Sequence, residues 1–105
     1  CMAYVRTEAK DPWGVRVFAV AARNVPAKAA VFKEINATTI ANRAMRVFLA
    51  PTGHLVVDYL LLADAVNTDN LRAVIRRVLK VADHLGPMIT AVHGGSTPIV
   101  PASGP

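Results

Sequence analysis

At 105 residues the chain holds one domain, long enough to bury a core and too short for two. Hydrophobic residues make up 53% of it and charged residues 18%, which excludes a disordered chain, and Cys1 as the single cysteine excludes an internal disulfide and a Cys-based metal site. Twelve Lys and Arg against seven Asp and Glu give +5, a balance that favours acidic partners, but the basic residues are scattered until the last helix, and one Trp, two Tyr and three Phe supply a base-stacking platform poorly.

Two strands are predicted first, "MAYVRTE" over 2–8 and "GVRVFAVAA" over 14–22, joined by the polar "AKDPW" with Pro12 as its turn residue. The second is apolar on both faces apart from Arg16, the pattern of a central strand covered on both sides. A helix follows from about Pro26 through "AKAAVFKEINATTIANR", with Val31, Phe32, Ile35, Thr39 and Ile40 on its core side. Asn36 falls inside that stripe, four residues from both Phe32 and Ile40, so its amide is expected to be buried and to tie the helix to neighbouring backbone.

"MRVFLA" and "LVVDYLLL" then form a hairpin around Pro51-Thr52-Gly53. The last helix has Thr68 as its expected N-cap and Asp69 in the first turn. Leu71, Val74, Ile75, Val78, Leu79, Ala82 and Leu85 make an unbroken apolar stripe of helical period. Gly86-Pro87 is expected to stop or sharply bend it, with "MITAV" adding one more turn before Gly94-Gly95 ends it. The Pro-rich end completes the division into a domain over 1–95 and a flexible tail over 96–105. No internal repeat is present. The order β-β-α-β-β-α predicts an α+β fold, with helices covering a meander-like antiparallel sheet.

Little in this pattern is catalytic. His54, His84 and His93 lack the mutual spacing of a helical zinc site. His93-Gly94-Gly95-Ser96 is similar to an esterase oxyanion loop, but G-x-S-x-G is absent, as is a P-loop Gly-Lys-Ser/Thr. Asp58 interrupts an apolar strand and is expected to face water rather than serve as an acid or base. No catalytic residue, metal or cofactor is expected. Arg72, Arg76 and Lys80 repeat every four residues along the last helix, with Arg77 beside them. They are candidate contacts for phosphate or an acidic partner, although a solvated face explains them as well. The apolar run "HLVVDYLLLADAV" is too short to span a bilayer, and no basic-then-apolar signal opens the chain, so a cytoplasmic location is expected. A first residue that is Cys rather than Met points to a processed, cut or engineered N-terminus.

The stretch "FKEINATTIANRAMRVFLAPTGHLVVDYLLLADAVNTDNLRAVIRRVLKVADHLGPMI", followed by "HGG", resembles the YbjN and type III secretion chaperone-like domain. The features that carry the resemblance are a helix bearing Asn36 and Asn42, the hairpin "V-F-L-A-x-x-G-x-L-V-V", and a long helix ending "AD-x-L-G-P" and then "GG", over residues 14–95. It implies an antiparallel sheet flanked by helices, often dimeric, with Gly94-Gly95 marking the domain's end rather than a catalytic loop. It also implies a non-enzymatic role, either holding an extended segment of a client protein on a hydrophobic patch or sheet edge, or regulatory. The family's domain usually opens with a helix before its first strand, whereas this chain begins in a strand. Either that helix lies outside this chain or a partner covers the surface it would occupy. No family site residue carries over. A homodimer is expected, with the helix at 27–43 or an exposed sheet face at the interface, because two helices are few for strands apolar on both sides. The alternative is a small basic nucleic-acid-associated regulator.

Overall fold

A computed structural model describes residues 2–8, 14–42 and 44–97. The connector at 9–13, Arg43, and residues 98–105 of the expected tail lie outside the described residues. The chain runs β1 (Ala3–Glu8), β2 (Gly14–Ala22), α1 (Ala29–Ala41), β3 (Met45–Leu49), β4 (Leu55–Leu62), a 3-10 turn at Ala63–Ala65, and α2 (Thr68–His93). This is the α+β order expected. The four strands form one antiparallel sheet, but in the order β1-β2-β4-β3 rather than as a meander. The chain leaves β2 through α1, enters the far edge as β3 and returns through the hairpin to pair β4 with β2.

Strand alternation divides the sheet into two unlike faces. Val17, Ala19 and Ala21 of β2, Met45 and Val47 of β3, and Leu55, Val57 and Leu61 of β4 point to one side and are buried. Both helices pack on that side. α2 supplies Val74, Val78, Ala82, Leu85 and Ile89, and α1 supplies Val31 and Ile35. No described helix covers the opposite face, so β2 is central but not covered by helices on both sides, as its apolar pattern had implied.

Three helix expectations change for identifiable reasons. α1 buries Val31 and Ile35, whereas Phe32 is 48% exposed and Ile40 74% exposed, with Asn36 exposed between them. At 100° per residue the Phe32–Asn36–Ile40 ridge lies about 100° round α1 from Val31 and Ile35, and that ridge is the exposed one. Asn36 is therefore no buried anchor. α2 is capped by Asn67, not Thr68: the Asn67 side chain accepts from the Asn70 backbone N–H at 2.9 Å.

Gly86-Pro87 neither stops nor ends α2, which continues to His93. Pro87 lacks the N–H that would bond back to Asp83, but its ring is exposed and the next turns stay helical. Gly86 is buried against the β2 backbone, where a Cβ would collide with the Ala21 carbonyl. That contact sits beside the register shift between Val20 and Ala22, which leaves both Ala21 and Ala22 in the core. Gly94, at φ 97°, ends the helix, as the Gly-Gly pair had indicated. Ser96 then pairs with Arg23 through two backbone hydrogen bonds, of 2.7 and 2.9 Å.

Candidate functional site

The even-numbered residues of the strands build the helix-free face: Tyr4 and Arg6 from β1, Arg16, Phe18 and Val20 from β2, Val56, Asp58 and Leu60 from β4, Arg46 and Phe48 from β3. Tyr4 lies across the ladder from Phe18, and their rings stack with centroids 5.3 Å apart. The Arg6 guanidinium lies 5.9 Å from the Phe18 ring centre, and that of Arg46 lies 4.9 Å from the Phe48 ring centre. Flat aromatic and guanidinium groups therefore tile this side of the sheet. A shallow groove of about 340 Å³ runs among them, lined by Phe18, Val20, Phe48 and Val56, with Arg16 and Asp58 at its polar end. Arg6, Thr52 and the half-buried His54 line it too, and His54 Nδ1 lies 2.6 Å from the Thr52 hydroxyl.

Asp58 is the polar centre of this face. It was expected to face water, yet it is only 4% exposed. Two arginines cover it. Arg46 donates from Nε to Oδ1 at 3.1 Å and from Nη2 to Oδ2 at 2.6 Å, and Arg16 donates from Nη1 to Oδ2 at 3.1 Å. The forked Arg46 contact is the strong bidentate form of this pair. Hydrogen bonding to Asp58 raises the Arg46 pKa above its ordinary value, against a smaller opposing effect of burial, so this guanidinium is charged at any working pH. A signal for the cluster was present in the chain: β2, β3 and β4 each carry one such charge in an apolar run. Closing the hairpin at Leu49 and Leu55 places residue 46 opposite residue 58.

The edge of the sheet adds a second feature. β1 pairs with β2 on one side and with no described strand on the other, and Tyr4, Val5 and Arg6 are exposed.

The residues singled out for phosphate or acidic partners lie elsewhere. Arg72, Arg76, Arg77 and Lys80 are all exposed on α2, in the helical layer. Helical spacing puts Asp69 and Asp83 on the same outer side as Arg72 and Arg76, while Arg77 turns toward α1. Among the described residues no three His, Cys, Asp or Glu side chains are grouped to hold a metal ion. No helix among them is long and apolar enough to cross a membrane.

A family model, TY-Chap1, described as "T3SS (YopN, CesT) and YbjN peptide-binding chaperone 1", matches residues 1–101. No curated protein matches the chain.

Proposed function

The chain belongs to the TY-Chap1 family of peptide-binding chaperones, and from that premise we propose that it holds an extended segment of a partner protein on the helix-free face of its sheet. The observation that carries this reading is the groove between Phe18 and Phe48, with Val20 and Val56 as its apolar lining and Arg16 and Asp58 among its polar residues, Asp58 being held in turn by Arg46. An extended peptide presents alternate side chains to such a surface, and the exposed edge of β1 offers its backbone hydrogen bonds. The Asp58 cluster holds two guanidiniums in fixed positions, so less ordering is needed when a segment arrives. The role is binding rather than catalysis, and its expected setting is the cytoplasm.

The same reading makes the chain a homodimer through α1. Phe32, Asn36 and Ile40 form an exposed stripe on that helix, Phe32 sharing a pocket with Leu49 and Ala50, so self-association there leaves the helix-free face available. The nucleic-acid reading is favoured by no observation: Asp69 and Asp83 interrupt the outer basic face of α2, and stacked aromatics lie on the opposite side of the molecule.

Fluorescence anisotropy with a labelled decapeptide of alternating Val and Thr tests the assignment. Tyr4→Ser and Phe48→Ser, both on edge strands, are each expected to weaken binding about tenfold or more, a loss of about 1.4 kcal/mol. Equal affinity in the original chain and both variants would remove the face from consideration.

A further inference from the structure

We propose that the groove between α1 and α2 is a second binding site, one that takes an acidic side chain of a peptide together with an aliphatic neighbour. The groove is about 320 Å³. Arg77, Lys80 and His84 line its α2 wall, Thr38 and Asn42 its α1 wall, and Met45, Val81 and Leu85 contribute its apolar part. Met45 and Leu85 are buried and Val81 is half-buried, so the floor is dry while the rim is basic.

Charge decides what fits. Among the described residues no Asp or Glu lines the groove. Asp83 stands three residues from Lys80 on the outer side it shares with Arg72 and Arg76, so it offsets only part of the rim's charge, and Glu34 lies one turn back along α1 from Thr38. The bland explanation for the basic rim is that it neutralises the C-terminal end of α1, whose own last turn has no basic residue. That end carries only about half an elementary charge, negative. Arg77 and Lys80 bring two full positive charges, so a clear surplus is left for a ligand. The α1 wall is held in place: the Thr38 hydroxyl donates to the Glu34 carbonyl at 2.9 Å, and the Asn42 amide donates to the Thr38 carbonyl at 2.8 Å.

The dry floor separates a peptide from other anions. A free phosphate gains nothing from Met45, Val81 and Leu85, whereas an Asp or Glu flanked by Leu or Val buries apolar area there while its carboxylate meets the rim. Among the described residues no aromatic lines the groove, so they offer no stacking surface to a nucleic-acid base. The site lies in the helical layer and stands independently of the helix-free face.

The test is an NMR titration of the ¹⁵N-labelled chain with three probes at matched ionic strength: a decapeptide of alternating Glu and Leu, its Gln-for-Glu counterpart, and inorganic phosphate. The Glu peptide is expected to shift Thr38, Asn42, Arg77 and Lys80, and to bind about tenfold or more tightly than the Gln peptide. Arg77→Gln with Lys80→Gln, both exposed, should remove that preference while the rest of the spectrum stays that of the folded chain. The proposal is overturned if these residues do not respond, if the Gln peptide binds equally, if phosphate alone reproduces the shifts at the same concentration, or if the double variant keeps the preference. A response here with a silent helix-free face would sustain this site and count against the client site proposed above.

Discussion

Arg46 and Asp58 sit directly opposite each other across the β3–β4 ladder and close a two-pronged ion pair, Nε to Oδ1 at 3.1 Å and Nη2 to Oδ2 at 2.6 Å. The pair is lopsided in exposure. The Asp58 side chain is 6% accessible while that of Arg46 is 58% accessible, so the carboxylate depends on its arginines far more than they depend on it. Asp58→Ala is expected to cost about 1–3 kcal/mol, chiefly through two guanidiniums left close together without their anion. Arg46→Ala should cost less, because Arg16 remains on Oδ2. Urea titration of both variants checks the order. Equal costs would mean that Arg46 carries the cluster alone.

Asn36→Ala is expected to leave stability within about 0.5 kcal/mol, as for an exposed surface substitution. Ile35→Ala, one residue away but buried, should cost about 2–4 kcal/mol. Thermal unfolding of the two variants measures the phase of α1 directly, and a reversed order would put Asn36 back in the core.

α1 also marks the limit of what the sequence could reveal. The pattern reads Val31, Phe32, Ile35, Thr39 and Ile40 as one core side, yet they make two ridges, Val31–Ile35 and Phe32–Ile40, offset by one residue or about 100° of the helix. Only the position of β3 beneath Val31 and Ile35 decides between them. In α2 every strongly apolar residue fell on one side, so its stripe was legible outright. Gly86-Pro87 failed as a stop signal because the glycine serves a packing contact with Ala21 and the proline points to solvent. Those facts depend on the layer below the helix. The strand positions and the hairpin were legible from composition and turn residues. The β2–β4 pairing was not, because no local signal says which strand a returning hairpin will meet. For the same reason the strand pattern alone makes Asp58 a solvated residue: Arg16 is 42 positions away in the chain.

Gly86→Ala is expected to destabilise the fold by about 1–3 kcal/mol or more, because its methyl would meet rigid backbone rather than a movable side chain. Pro87→Ala should do the reverse. It restores a donor to the helix and relieves the ring's conflict with the preceding turn, a gain of up to about 3 kcal/mol reduced by the extra freedom of the unfolded chain. Chemical denaturation resolves the two signs, and a stabilised Gly86→Ala would show that α2 stands further from β2 than described.

Ile40→Glu places a charge at the C-terminal end of the outer α1 stripe without touching the core. If α1 is the self-association surface, sedimentation at micromolar concentration should show a dimer for the original chain and a monomer for the variant, with an unchanged far-UV spectrum. Dimers in both would move the interface elsewhere.

Photocrosslinking tests the client site most directly. A photoreactive phenylalanine analogue is installed at residue 48, on the helix-free face, or at Val92, an exposed apolar position on α2. Each version is irradiated with the labelled Val-Thr decapeptide. The account predicts a crosslink from position 48, suppressed by excess unlabelled peptide, and none from position 92. Crosslinking from position 92 alone, or none at position 48 under conditions where the peptide binds, would contradict it.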